Sequence, residues 1–586
     1  MSDATRARPR ICLNMIIRNE AHIIGELFDS IAPYIDSWVI VDTGSVDGSQ
    51  DVVRGRMAAL DIPGELHERP WQDFGRNRSE ALTLAQGHGD YIWVLDADDI
   101  VMGTIDFAGL DTDAYEMRYS DGVGFVYWRY QLFRDGLPWY YVGVVHEFVN
   151  CDQPVTQGRL EGDYYIESRR LGSRNLDADK YARDRDLLLA QVQRDPTDAR
   201  SAFYLAQSYF DLGDFAGARD WYARRAVMSG WDEESFFAMY RVGISLSHLD
   251  APLPDVQDAF LRAWEFRPIR AEPLHAIAVR YRIEERYLAG YLFAERAARI
   301  PFCDHEKLFV DADVYAWRAV DEQAVCGYWI GRHGESFTLC RNLLQLGGLP
   351  EDERGRIAAN RDFSVPTMID AALAYPQEVV DGMPVPLGGD VTVTLVAGPD
   401  RSAAERSLNS FLRSCQDLDR IGRFLVVDAG LSDPDRQSLR ARYGFLEFGQ
   451  VAGTDLAGIR SAVEARFWLH LGSNWVFFAP DPLIGRLTAI LDIEPEVFQV
   501  GVNYGDASGL TGAIPADEAA RRAERTGRYV IADAAASGPA MFDTARLDLV
   551  LGAGGFATLG GQALAAGLRT ASLDEVLCVA GPAVGD

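Results

Sequence analysis

The sequence predicts an α/β region, an all-α middle and a second α/β region, on three observations. Strand-like and helix-like segments alternate over roughly the first 150 residues. From Lys180 to about Asn360 helix follows helix, with similar units recurring every 35 residues or so. After Val391 the strand–helix alternation returns. The expected boundaries are 1–165 and 166–362 for the first two regions, 363–390 for a linker, and 391–586 for the second α/β region.

In the first region Ile11–Ile17 is an apolar run of strand length. Ala21–Ala32 carries Ile23, Ile24, Leu27, Phe28 and Ile31 at helical spacing. Trp38–Val41 reads as a strand, Ser49–Leu60 and Arg76–Ala85 as helices, and the aromatic and branched run Tyr91–Leu95 as a buried strand. Such alternation implies right-handed crossovers and a largely parallel sheet, with its ligand cleft at the carboxyl ends of the strands. Three exits there are polar: Arg18-Asn19-Glu20, Asp42-Thr43-Gly44-Ser45 and Asp96-Ala97-Asp98-Asp99. Carboxylates at a strand exit offer hard oxygen ligands to a divalent cation, which in turn neutralises a diphosphate.

The middle region has small residues alternating with aromatics, as in Ala202–Tyr209 followed by Gly213, Ala218, Tyr222 and Ala226. That texture resembles tetratricopeptide repeats, whose helix pairs bury their apolar faces by stacking on the next pair. The stretch 363–390 gathers Pro366, Pro376, Pro384, Pro386 and several glycines, the composition of a connector. Beyond it, LVVDAGLSD (Leu425–Asp433) echoes VIVDTGSVD (Val39–Asp47), and RFWLHLGSN echoes YIWVLDAD when Leu471 is set on Leu95. In that alignment Gly472 stands for Asp96 and Asn474 for Asp98, so a second copy of the first fold without its acids is expected.

Composition sets outer limits. The 586 residues are 48% apolar, enough for large cores. The net charge is −30 and the pI about 4.7. Such a surface repels phosphate backbones and anionic lipid, which argues against nucleic acid and membrane surfaces as partners. It also confers solubility. The seven cysteines are scattered and include no C-x-x-C, which argues for a reducing compartment. Ile11–Ile17 is interrupted by Asn14 and ends at Arg18, too short for a signal peptide. No run reaches the roughly 18 apolar residues of a membrane span. A cytoplasmic chain without an integral membrane segment is expected.

Four motifs in order, ICLNMIIRNEAHIIGELFDSI, VIVDTGSVDGS, FGRNRSEALTLA and YIWVLDADD, resemble the family 2 glycosyltransferases of the Rossmann-like GT-A fold. The resemblance spans about residues 10–150 and implies metal-dependent, inverting transfer of a sugar from a nucleotide diphosphate, UDP-sugars first. It implies that Asp42, Asn19 and Glu20 meet the nucleotide, although Asp42 also sits in good turn chemistry. Arg78 would pair with the diphosphate, with Arg76 as its rival. Asp98 would bind Mn²⁺ or Mg²⁺ directly, Asp96 would hold ribose or a metal water, and His146 would add a further metal ligand. Glu147 would be the general base, with Asp121 and Asp135 as rivals. Trp128, Trp139 and Tyr140 are either sugar-stacking or core residues.

The repeats resemble those of glycosyltransferases with tetratricopeptide repeats after the catalytic domain, including the sublancin-type peptide S-glycosyltransferases. That implies a protein, peptide or surface-glycan acceptor, and a homodimer through the helical repeats. The opposing expectation is a tetratricopeptide scaffold with a vestigial sugar-nucleotide site. A nucleotidyltransferase is disfavoured, since residues 18–25 hold no glycine-rich, lysine-bearing phosphate loop.

Overall fold

The computed structural model describes residues 8–120, 126–169, 171–174, 179–449, 451, 453–503, 521–523, 525–536, 538–551 and 555–581. They form two compact units, one up to residue 268 with 304–310, the other 269–303 with the chain from 311 onward.

The first unit opens with β1 (Ile11–Ile17), α1 (Ile24–Ile31), β2 (Ser37–Asp42), α2 (Ser49–Ala59), β3 (Gly64–Glu68), α3 (Phe74–Ala85) and β4 (Tyr91–Val94). Next come β5 (Asp99–Gly103), β6 (Ala114–Ser120), β7 (Val126–Arg134), β8 (Trp139–Val142), β9 (Phe148–Cys151), β10 (Gln157–Arg159) and β11 (Tyr164–Ser168). The sheet runs β3-β2-β1-β4-β7-β6-β11-β5, with β10 also on β6. Its first four strands are parallel, as helical crossovers require, and β7 returns antiparallel to β4. The period of α1 is realised in its buried face of Ile24, Leu27, Phe28 and Ile31.

Helices then take over: α4 (Lys180–Arg194), α5 (Ala199–Asp211), α6 (Phe215–Ala226), α7 (Asp232–His248) and α8 (Leu253–Phe266), each packed on the next. In α5, Ala202, Phe203, Leu205 and Ala206 are buried, so the small–aromatic alternation forms the helix-to-helix seam. No helix among the described residues is long and apolar enough to cross a membrane.

The second unit has its own run of packed helices, α9 (Glu272–Ile283), α10 (Tyr287–Ala298), α11 (Ala319–Trp329), α12 (His333–Leu344) and α13 (Glu351–Phe363). The helical run is thus divided between the two units near residue 268. The stretch read as a linker instead holds α14 (Val365–Leu373) and α15 (Gln377–Gly382). Pro366 lies in the first turn of α14, where a missing N–H costs nothing, so proline there does not break the helix. Both helices pack on α16 (Arg401–Ser414).

The second sheet is built from β12 (Val391–Ala397), β13 (Ile421–Asp428), β14 (Leu446–Gly449), β15 (Phe467–His470), β16 (Trp475–Phe477) and β17 (Val497–Gly501). To these are added β18 (Arg521–Ala523), β19 (Gly527–Ala532), β20 (Ala540–Asp543), β21 (Arg569–Leu573) and β22 (Cys578–Ala580). Its order is β14-β13-β12-β15-β20-β17-β21-β19-β18, while β16 pairs with β22 apart from it. From β14 to β19 each neighbour has the same relative direction as its counterpart from β3 to β5. The register agrees as well: Ile11 faces Tyr91 and Val391 faces Phe467. The Leu95 N–H donates to Asn14 O, and the Leu471 N–H to Thr394 O. Leu95 and Leu471 are therefore equivalent positions, and Gly472 and Asn474 follow where the first sheet has Asp96 and Asp98. The two sheets differ in connection, since β19 follows β17 in the chain whereas its counterpart β5 precedes β6.

Candidate active site

The carboxyl ends of β1 and β4, residues of α3, the loop after β8, the segment after β11 and one face each of α4 and α5 surround a cleft of about 700 Å³. It is lined by Asn19, Glu20, Arg78, Asp96, Asp98, His146 and Glu147, so all but one of the expected site residues meet there. The exception is Asp42. It is 1% exposed, and its Oδ1 accepts the N–H groups of Gly44 (3.2 Å) and Ser45 (2.9 Å). Its Oδ2 accepts from Gln50. In the second sheet Asp428 does the same with Gly430, Leu431 and Arg436. The repeated device closes the turn after the second strand of each sheet.

Arg78 projects from α3 between two carboxylates. Its Nη2 donates to Asp96, and its Nε donates to Glu147 Oε1 at 2.7 Å. Its guanidinium lies over the Tyr141 ring, 5.8 Å from the centroid. Burial works against the Arg78 charge, yet Asp96 and Glu147 raise its proton affinity above the ordinary value. The same logic holds Asp96 below the usual carboxylate range: burial opposes its charge, and Arg78 and Arg129 more than offset that. Arg78 is thus paired with the site's own acids, Asp96 and Glu147. Arg76 is directed elsewhere, to Asp73 and Gln72.

Asp98 Oδ2 accepts the Gly172 N–H at 3.0 Å. A Cβ on Gly172 would lie 3.4 Å from Asp98 Oδ2 and 3.6 Å from Glu20 Oε1, so a small space separates these carboxylates. Glu20 accepts from the Ser173 N–H, and burial, with Asp98 nearby, pushes it up to about 7. Asn19 has φ 58°, and its Oδ1 accepts the Val46 N–H at 2.8 Å, bracing the first strand exit against the second. Behind the acids, Asp99 Oδ2 accepts from the Asp96 N–H and the Tyr119 hydroxyl, and burial and Asp96 raise its proton affinity.

The loop carrying His146 and Glu147 is clamped by α3. The Phe74 N–H donates to Val144 O. Gly75 sits so close that a Cβ there would be 2.3 Å from Gly143 O. His146 takes φ 55° and stacks its ring on Tyr204 of α5, 3.9 Å between centroids. Its carbonyl accepts from Arg200. Desolvation of the ring, with Arg174, Arg200 and Lys180 close by, holds His146 well below the usual histidine range. Among the described residues no group of three or more His, Cys, Asp or Glu side chains is disposed to hold one metal ion. Asp96, Asp98 and His146 line one cleft without forming such a group.

Of the rival bases, Asp135 accepts from the N–H groups of Gly87 and Gly136 and is not a lining residue, and Asp121 lies outside the described residues. Trp139 is a core residue packed on Phe133, Tyr140 bonds to Asp152, and Trp128 lies under Arg159. Sequence reasoning missed Arg129, Arg174, Lys180, Arg183, Arg200 and Tyr204, all of which line the cleft. The one available signal was spacing: Lys180, Arg183, Asp184 and Leu187 fall at i, i+3, i+4 and i+7 on α4, a single helical face.

In the second sheet the equivalent strand exit is filled by its own chain. Asn474 Nδ2 donates to Gly581 O, and the Gly581 N–H donates to Asn474 O at 2.7 Å. Asn503 binds the backbone of Leu577 and Cys578 and fixes the same terminal segment.

Residues 12–106 match the family model described as glycosyl transferase family 2. The TPR repeat-containing protein Synpcc7942_0270 of Synechococcus elongatus is 33% identical over 93 residues, 16% of this chain and 21% of that protein. The chain thus matches about a fifth of the length of this curated relative. Among solved structures, MamA from Desulfovibrio magneticus RS-1 is 14% identical over 30% of this chain and 89% of its own, with a TM-score of 0.24. TTC0263, a thermophilic TPR protein in Thermus thermophilus, is 13% identical over 31% and 90%, with a TM-score of 0.23. The segment similar to glycosyl transferase family 2 holds β1 to β5 and with them Asp96 and Asp98, while His146 and Glu147 lie beyond it.

Proposed function

We propose that the chain is a metal-dependent, inverting glycosyltransferase that moves a sugar from a nucleotide diphosphate, a UDP-sugar first of all, to a protein, peptide or glycan acceptor. One observation carries the reading: strand-end acids of the family-2-like segment share a cleft with Glu147, bridged to Asp96 through Arg78. Arg78 occupies Oε1 of Glu147, which leaves Oε2 to act as the base. The acceptor hydroxyl gives its proton to Glu147 as its oxygen attacks the anomeric carbon. The bond from that carbon to the diphosphate oxygen breaks on the opposite face, and the electron pair leaves with the nucleotide diphosphate.

The residues fit a divalent cation of the Mg²⁺ or Mn²⁺ kind. Such ions take one or two protein carboxylates and complete their shell with phosphate oxygens and water. Asp98 would be the direct ligand and Asp96 its neighbour, beside the space that Gly172 leaves next to Asp98 and Glu20. When bound, the ion supplies Lewis acidity to the leaving diphosphate. Arg129 and Arg174 add positive charge to the same wall. The second sheet, whose matching exit lacks both acids, acts as a non-catalytic copy of the fold.

The test is release of nucleotide diphosphate from a panel of nucleotide sugars with Mn²⁺. At least one donor should turn over, and Asp98→Ala should slow it by about 100-fold or more. No turnover or binding with any donor would overturn the reading, as would an Asp98→Ala variant as fast as the parent.

A further inference from the structure

We propose that the second unit holds a binding site for a phosphate group, read by Arg361 of α13 and Arg528 of β19. The site shares no residue with the cleft beside the first sheet and does not depend on the transferase reading.

Four arginines line one hollow: Arg341 on α12, Arg354 and Arg361 on α13, and Arg528 on β19. All of them belong to the second unit. Arg354 and Arg361 are seven residues apart and so share one face of α13. The acids of the hollow are Asp574 and Glu575, just after β21. Four guanidinium groups against two carboxylates reverse the sign of a chain whose net charge is −30. Such a reversal focuses the local field on an anion.

The partners of these arginines separate those that frame the hollow from those that read a ligand. Arg341 and Arg486 close a network with Asp481 and Glu575. Arg341 donates to both acids, and Arg486 donates to Asp481 at 2.6 Å and to Glu575 at 2.7 Å. Two cations there face two anions, so Glu575 has its charge matched. Arg354 directs its two Nη groups at the carbonyls of Leu344 (2.9 Å) and Leu346 (3.0 Å) and ties α13 to the end of α12. Its acid, Glu351, is 75% exposed, and pairs with exposed groups are weak.

Arg361 and Arg528 remain. The Arg361 side chain is only 6% exposed, and it meets the neighbouring Asp362 through Nε and Nη2. Arg528 meets Asp574 through Nε at 2.8 Å. Nη1 of Arg361 and both Nη groups of Arg528 have no acceptor among the described residues. Buried donors are rarely left in that condition. An oxyanion in the hollow accepts from both side chains, and the planar fork of arginine matches phosphate. Three nitrogens offer more donors than the two oxygens of a carboxylate can meet at once, whereas phosphate brings four. The hollow has about 30 Å³ of room, enough for about two waters. One phosphate group suits that space, and a nucleotide or a sugar ring does not.

The experiment measures binding of inorganic phosphate to the full chain by equilibrium dialysis, with chloride holding ionic strength constant. Hydrogen exchange on the same samples locates the ion. Phosphate should bind, and exchange should slow in α13 and β19. Arg361→Met with Arg528→Met should weaken this binding by about tenfold or more. Arg129→Met, in the cleft of the first sheet, should leave the protection of α13 and β19 unchanged. If the double variant does not fold, the exchange pattern of the parent decides. Glucose 6-phosphate is the second ligand. Equal protection by it assigns the site to a phosphate carried on a small molecule, protection by inorganic phosphate alone assigns it to the free ion, and either supports the proposal. Absence of binding overturns it, as does protection confined to the first unit. So does binding that the double variant keeps, protection that Arg129→Met abolishes, or protection by acetate as strong as that by phosphate.

Discussion

Arg78 occupies a place where a single side chain settles several others. Its side chain is 10% exposed and that of Glu147 11%, so both charges depend mainly on each other and on Asp96. Replacing it with methionine leaves two carboxylates facing a gap. Removing one partner of a part-buried ion pair costs more than the pair is worth, because the remaining charge keeps its desolvation penalty. Arg78→Met should lower the unfolding free energy by about 1–3 kcal/mol in urea titrations, and slow donor turnover with it. Lysine is a poor substitute, since one ammonium does not copy a planar fork reaching two acids. The acids of this site were legible in the sequence because a strand exit imposes its own spacing. Their arginine partners were not. Arg129 reaches Asp96 from a strand antiparallel to β4, and the α4 cations arrive after a change of secondary structure. In Asp42 the turn explanation and the ligand explanation share one motif, and only the hydrogen bonds to Gly44, Ser45 and Gln50 separate them.

At the scale of elements, the contact between α3 and the loop after β8 aligns the site. Both pieces carry a member of the Arg78–Glu147 pair, and Gly75 allows their backbones to approach. A methyl group at Gly75 meets a backbone carbonyl, which unlike a side-chain end has no rotamer to swing away. Gly75→Ala should therefore cost about 1–3 kcal/mol of stability despite alanine's better helix propensity, and should reduce turnover by displacing Glu147. Thermal melts and donor turnover on one preparation read both effects. Periodicity anticipated β1, α1, β2, α2, α3 and β4, because each buries a face that must repeat at 2.0 or 3.6 residues. It failed between 363 and 390. Proline counts as a breaker in composition but as a neutral residue in the first turn of a helix, and α14 uses that second property.

Each of the two compact units holds one large sheet, and the second of these sheets buries a histidine. His470 is 6% exposed, and its Nδ1 shares a 2.8 Å hydrogen bond with the Thr394 hydroxyl. Burial lowers its pKa from 6.5 to about 4. Protons therefore bind the unfolded chain first as pH falls. The stability contributed by neutral His470 is complete above about 6.5 and is lost on the way down to 4. At pH 5 the loss is about 2 kcal/mol. Urea titrations at pH 7 and pH 5 should show it for the second unit, and His470→Gln should remove that part of the difference.

The exit of β15, with Gly472 and Asn474 closed off by Gly581, bears on how the first sheet lives with its chemistry. Burial first and neighbouring carboxylates second raise the proton affinities of Glu20, after β1, and Asp99, after β4. The C-terminal sheet carries the same strand order and register. Under the proposed function, the sheet with Asp96 and Asp98 carries the chemistry, and the sheet with Gly472 and Asn474 carries the strand order alone. Substitutions that make the first copy more like the second would toughen it and silence it together.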